Sequence, residues 1–122
     1  MDVVIDDLIE NAALERQDSA LLAYSDTGDR LQAEQQEIST DTADKITVLS
    51  IVDDISSIQV GSKADPNNAS AQVAAIVQGK ETREQRIGSD PRTHSMKSFQ
   101  VLLWILWSPA QMRYLLCDTA DA

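Results

Sequence analysis

An all-α domain, a small bundle of four to five helices with an apolar C-terminal helix, is the fold class that the sequence predicts, and three observations predict it. Glycine and proline number only four and three in 122 residues, where a sheet-rich domain with many tight turns ordinarily holds more. Apolar residues recur at three- and four-residue spacing near the N-terminus, as in Val4, Ile5, Leu8, Ile9, Ala12 and Ala13. The segment Phe99–Trp107 is apolar at eight of nine positions and holds the only Phe and both Trp, and Leu102, Leu103 and Leu106 favour helix there. The alternative is an α+β chain with a hairpin around residues 46–60. At this length the chain is expected to form a single domain over residues 1–122.

The first helix is expected from about Asp2 to Tyr24, with Asp2, Asp6 and Asp7 in its first turns, where the helix dipole favours negative charge. Ser25-Asp26-Thr27-Gly28 reads as a stop, and Asp29–Ile38 as a surface helix with Leu31 and Ile38 on a thin apolar seam. Ser39–Asp44 suits a turn with an N-cap at Thr40 or Asp41. Val48, Ile51, Val52, Ile55 and Ile58 then fall on one helical face. The same stretch is rich in β-branched residues, which is the basis of the hairpin alternative, turning at Asp53-Asp54. Asp-Asp lacks the Gly that such a turn prefers.

Val60–Ala64 reads as a loop and Asp65-Pro66 as a helix start, followed by a narrow face of Ala69, Val73, Ile76 and Val77. Lys80–Ile87 is polar except at its end, and Gly88–Thr93 reads as a second loop. Ser95 or Ser98 is positioned to cap the apolar helix. Ser108-Pro109-Ala110-Gln111 has a capping-box pattern that predicts a last helix over Pro109–Cys117, with Met112, Leu115 and Leu116 folded onto the tryptophans and Arg113 outward. The tail 118–122 has nothing evident to hold it.

Charge divides the chain. Residues 1–60 hold 14 acidic and 3 basic side chains, whereas residues 61–122 hold 6 and 7. So acidic a first half argues against direct binding to nucleic-acid phosphates. It allows head-to-tail electrostatic contact, with Asp6, Asp7 and Glu10 meeting the basic run that includes Arg83, Arg86 and Arg92.

The search for chemistry returns little. His94 is the only His and has no ligand-spaced partner, and a lone Cys117 reads as a buried thiol. The carboxylate groups Asp6-Asp7-Glu10 and Asp53-Asp54 read as solvated faces, and four scattered glycines make no phosphate loop. No catalytic residue, metal site or cofactor is expected, and the chain is expected not to be an enzyme. Nine helical residues span about 13–14 Å against a membrane core of about 30 Å, so no transmembrane span is expected. Without Lys or Arg on its surface the segment is a poor membrane anchor.

The functional expectation is therefore a helical assembly or adaptor protein that works through protein contacts, such as a structural subunit of a phage, virion or secretion filament. Its contact surface, to a partner or to itself, would be Phe99, Leu102, Leu103, Trp104, Leu106, Trp107, Met112 and Leu115. The alternative is an acidic inhibitor that mimics nucleic acid toward a basic protein. With no basic n-region or long apolar run at the N-terminus, the expected location is the cytoplasm or an intracellularly assembled particle.

Overall fold

The computed structural model describes residues 2–122, except for the side chain of Asp2. Helix α1 (Asp2–Arg16), a 3-10 helix (Ser19–Tyr24) and helix α2 (Gly28–Ala43) precede four strands, β1 (Ile46–Ser62), β2 (Val73–Ile87), β3 (Thr93–Ser108) and β4 (Arg113–Asp121). The strands form one antiparallel meander in the order β1-β2-β3-β4. The chain is thus mostly β-sheet with a few helices, and the expected all-α bundle is overturned. The hairpin at Asp53-Asp54 is absent too, since both residues lie mid-strand opposite Glu81 and Lys80.

The single helix expected over Asp2–Tyr24 is broken into two, and the turn expected over Ser39–Asp44 is instead the end of α2. Helix α1 stops where Gln17 takes a left-handed φ of 50°, and Asp18 caps the 3-10 helix by accepting from the Ala20 amide at 3.1 Å. Residues 25–27 then run beside β4, with Thr27 N donating to Leu116 O at 2.8 Å and Leu116 N to Ser25 O at 2.9 Å. Lys45, at φ 59°, closes α2 and turns the chain into the sheet.

The segment Phe99–Trp107 is a strand because the sheet is covered on both faces. Leu102, Leu103, Trp104 and Ile105 are consecutively buried. Leu103 and Ile105 join Val3 of α1, Ala75, Val77 and Leu116 on the helix side, while Leu102 and Trp104 join Ala71, Ala74 and Cys117 on the other. A strand buried on both faces loses the alternation that marks a half-exposed strand. The second cover is loop 63–72. Trp104 Nε1 donates to Lys63 O at 3.1 Å, and Asn67 Nδ2 donates to Asp118 Oδ2 at 3.0 Å. The expected helix after Asp65-Pro66 is this loop and then β2.

The capping-box pattern at Ser108 makes a turn instead of a helix: the Gln111 amide donates to Ser108 Oγ at 3.3 Å, and the chain reverses into β4. The expected last helix is overturned, and the tail is held as far as Asp121, opposite Val101. Gly79 sits where β1 and the Phe99 ring come closest to β2. A Cβ there would lie 2.5 Å from the Asp54 carbonyl oxygen, so only glycine allows β1 and the Phe99 ring to approach this closely.

Candidate functional site

Helix α1 carries its charges on the wrong side for a surface helix. Asp6 is fully buried and Glu10 nearly so, while Val4, Ile5 and Leu8 are 36%, 46% and 63% exposed. The inward acids meet cations from distant elements. Asp6 Oδ1 lies 2.9 Å from Arg113 Nη1 of β4. Glu10 takes Arg30 of α2 in a two-pronged pair, both contacts at 2.8 Å, and Arg30 also reaches Glu34 at 3.2 Å. Planar guanidinium matches a carboxylate in this way and makes a strong, directional pair.

Between α1 and the sheet lies a cavity of about 180 Å³. Its floor is apolar, made by Val3, Val77, Phe99, Val101, Leu103 and Leu116; its other wall is Asp7, Glu10, Arg30, Asp53, Glu81 and Lys97. The charged wall continues into a compartment of about 220 Å³ bordered also by Glu34, Glu37 and Arg83. On the outer side of Asp7 and Asp53, a groove of about 440 Å³ runs between α1 and β1, lined by Val4, Leu8, Ile55 and Ile58. A further hollow of about 670 Å³, around Gln78, Gly79, Lys80 and Gln100, is open and shows no grouped chemistry.

Burial and crowding of carboxylates hold protons in this region. Burial, then the hydrogen-bonded Asp53 beside it, pushes Asp7 up to about 8. Burial and Glu10 push Asp26 up to about 10, so it stays a neutral acid next to the Glu10 carboxylate at neutral pH. Glu34 rises to about 7 through burial and the charge of Glu10, and Glu81 rises through burial and Asp53. Burial works against the charge on Arg30, yet Glu10, Glu34 and Asp26 together hold it above its usual range.

Among the residues singled out from sequence, Asp7 and Glu10 line the cavity, and Phe99 and Leu103 form part of its floor. Arg83 spans Glu37 at 3.5 Å and Glu81 at 3.1 Å, Arg86 is half-buried on β2, and Arg92 faces Glu84 at 3.6 Å. Leu102, Trp104 and Leu115 are buried, Leu106 partly so, while Trp107 and Met112 reach solvent at 46% and 74% exposure. Trp107 stacks edge-on against Tyr114 with ring centres 5.3 Å apart. Arg113, expected outward, turns to Asp6.

Sequence reasoning missed Arg30, Asp53, Glu81 and Lys97 as lining residues. Asp53 left a trace, because it alternates with Ile51 and Ile55 and so shares their inward side of β1. Cys117 is buried, donates weakly to Trp104 O at 3.4 Å, and burial pushes its thiol up to about 11, which leaves it a poor nucleophile. Among the described residues no three His, Cys, Asp or Glu side chains are grouped to hold a metal ion, and no helix is long and apolar enough to cross a membrane.

No family model and no curated protein matches the chain. Among solved structures, the chain is similar to the crystal structure of the intermembrane space region of chloroplast protein ARC6, with a TM-score of 0.73 over 98% of this chain and 89% of that one. Identity is 9%. The likeness is one of fold.

Proposed function

We propose that this chain is a non-catalytic protein-contact module that associates with a second copy of itself through the outward stripe of α1. The observation that carries this reading is the reversed helix: Asp6, Asp7 and Glu10 turn in, and Val4, Ile5 and Leu8 turn out. An apolar stripe left in water favours burial against another surface. The stripe is uncharged although its half of the chain holds 14 acids, so two copies can meet there without opposing carboxylates. Asp6, Glu10, Asp26 and Glu34 are buried and so lie outside any acidic surface offered to a basic partner.

Light scattering across a concentration series tests the proposal. The wild-type mass rises from 13.4 kDa toward twice that value, and Leu8→Glu stays at the single-chain mass at every concentration. A wild type that never exceeds one chain refutes self-association. Trp107→Ser separates the second outward apolar group: if it abolishes association and Leu8→Glu does not, the α1 surface is refuted.

A further inference from the structure

We propose that the outer edge of β1 over residues 55–62 pairs antiparallel with the same edge of a second copy, joining the two four-stranded sheets into one. The pairing rests on the self-association proposed above and adds backbone hydrogen bonds to it. β1 has β2 on one side and no strand on the other. Lys63 N donates to Gln72 O at 3.0 Å. By the alternation of an antiparallel ladder, Gly61 and Gln59 also turn their backbone groups to β2, whereas Ile58, Val60 and Ser62 turn theirs outward.

The chain closes this edge at its other end. Gln17 Nε2 donates to Ile46 O at 2.7 Å, and the Ile51 amide donates to Glu15 Oε1 at 3.0 Å. Among the described residues no side chain does the same for Ile58, Val60 or Ser62. Sheet edges are ordinarily blunted by charge, proline, a bulge or a cover. Residues 55–62 hold no charge and no proline, and past the irregularity between Ile55 and Ser57 they run in unbroken register with β2.

Charge and shape select a second copy as the strand that pairs here. The uncharged run is bounded by Asp54 at one end and Lys63 at the other, both exposed. Antiparallel pairing about a two-fold axis near Ile58 lays the Lys63 end of each copy against the Asp54 end of the other, whereas parallel pairing in register would set like charges side by side. A two-fold axis perpendicular to the sheet also keeps both copies of α1 on one face. The groove of about 440 Å³ at this edge is lined by Val4 and Leu8 together with Ile55 and Ile58, so the two apolar stripes then meet over the seam.

The test is amide hydrogen exchange of the intact chain by NMR, on either side of the concentration at which its mass doubles, with carbodiimide cross-linking of the same samples. In the doubled form the amides of Ile58, Val60 and Ser62 are expected to exchange roughly tenfold or more slowly than in the single chain, because only then are they hydrogen-bonded. Cross-linking is expected to join Lys63 to Asp54. The strand between them spans about 30 Å within one chain at ~3.3 Å per residue, so that link arises only between copies. Lys80, opposite Asp54 in the register, supplies the link within a chain. Val60→Pro removes an outward donor and leaves the ladder with β2 intact; it is expected to hold the single-chain mass and to melt with the wild type at dilution. If it fails to fold, Val60→Lys, which puts a charge into the seam, must hold the single-chain mass instead. A doubled mass with all three amides exchanging as in the single chain leaves the α1 contact standing and overturns the edge pairing. A mass that never doubles removes the self-association and the pairing with it. Slowing produced only by an added peptide of residues 55–62, in a chain that stays single, gives the edge to an extended segment and overturns the second copy.

Discussion

Replacing Gly79 with alanine tests the close approach of β1 and Phe99 to β2. The added Cβ would stand 2.5 Å from the Asp54 carbonyl oxygen, 2.9 Å from Cζ of Phe99 and 3.0 Å from Cα of Ile55, all well inside the ~3.5–4.0 Å at which carbon atoms rest in contact. Phe99 can rotate away, but the other two obstacles are backbone of β1, and Gly79 is itself paired with Ile55. Relief therefore requires the strands to part or the sheet to flatten. Overpacking of this kind costs roughly 1–3 kcal/mol, and the backbone obstacles place Gly79→Ala at the upper end. With an unfolding entropy of about 2.1 cal/mol/K per residue, a loss of about 3 kcal/mol lowers the melting temperature by roughly 10 °C for a chain of this length. Gly61→Ala is the matched control, because nothing lies within 4 Å of its would-be Cβ. Melting of both variants by far-ultraviolet circular dichroism and calorimetry provides the comparison. If Gly79→Ala melts with the wild type, the strands yield at this residue without cost and the requirement for glycine there is refuted.

Two further outcomes are expected. In the folded chain Asp7 and Asp26 hold their protons to about pH 8 and 10, and in the unfolded chain they lose them near 3.8. Folding therefore takes up protons at intermediate pH. The stabilisation from these groups is complete below the unfolded value and is lost as pH rises toward the folded ones, with a limiting slope of about 1.4 kcal/mol per pH unit for each group, lessened where solvent reaches Asp7. Glu34 has the same sign. Asp118 has the opposite one, because burial there is outweighed by hydrogen bonding with Asn67 and Asp65, which lowers its pKa. Urea midpoints should fall between about pH 5 and pH 8, and Asp26→Asn should flatten the fall; a midpoint that climbs over this range contradicts the protonated pairs. Arg30→Met strands the Glu10 carboxylate and should cost about 3 kcal/mol, with Glu10→Gln added to it restoring most of the loss. An additive double variant in chemical denaturation would contradict a direct pair.

The helical half was legible because its signals are local. The stop at Ser25–Gly28 and the two loops near Gly61 and Gly88 fall close to element boundaries, whereas the turn and N-cap expected over Ser39–Asp44 are overturned, because α2 runs on to Ala43 and a strand follows. The sheet was not, for reasons visible in particular residues. Leu102, Leu103 and Leu106 favour helix in isolation, but burial on both faces of β3 outweighs a propensity worth a few tenths of a kcal/mol per residue. At 46–60 the β-branched residues were the stronger signal, and three- and four-residue spacing arose by coincidence in a strand with irregularities after Val48 and Ile55. Ser108 and Pro109 specify a first turn but leave open whether helix or strand continues from it. The cavity combines Asp7 and Glu10 with Asp53, Glu81 and Lys97 through strand register and the packing of α1 on the sheet, and neither spacing nor composition encodes that meeting.

The segment from Lys63 to Gln72 looks like a place to cut or insert, being polar, lacking regular structure and joining two strands. It is instead the outer wall of a hydrophobic compartment: Ala71 is wholly enclosed, and the loop is fastened through Trp104 and Asp118. An epitope tag or fused domain placed there would peel that wall from the indole ring, whereas the exposed Gly88–Arg92 reversal would carry such cargo without disturbing either interior.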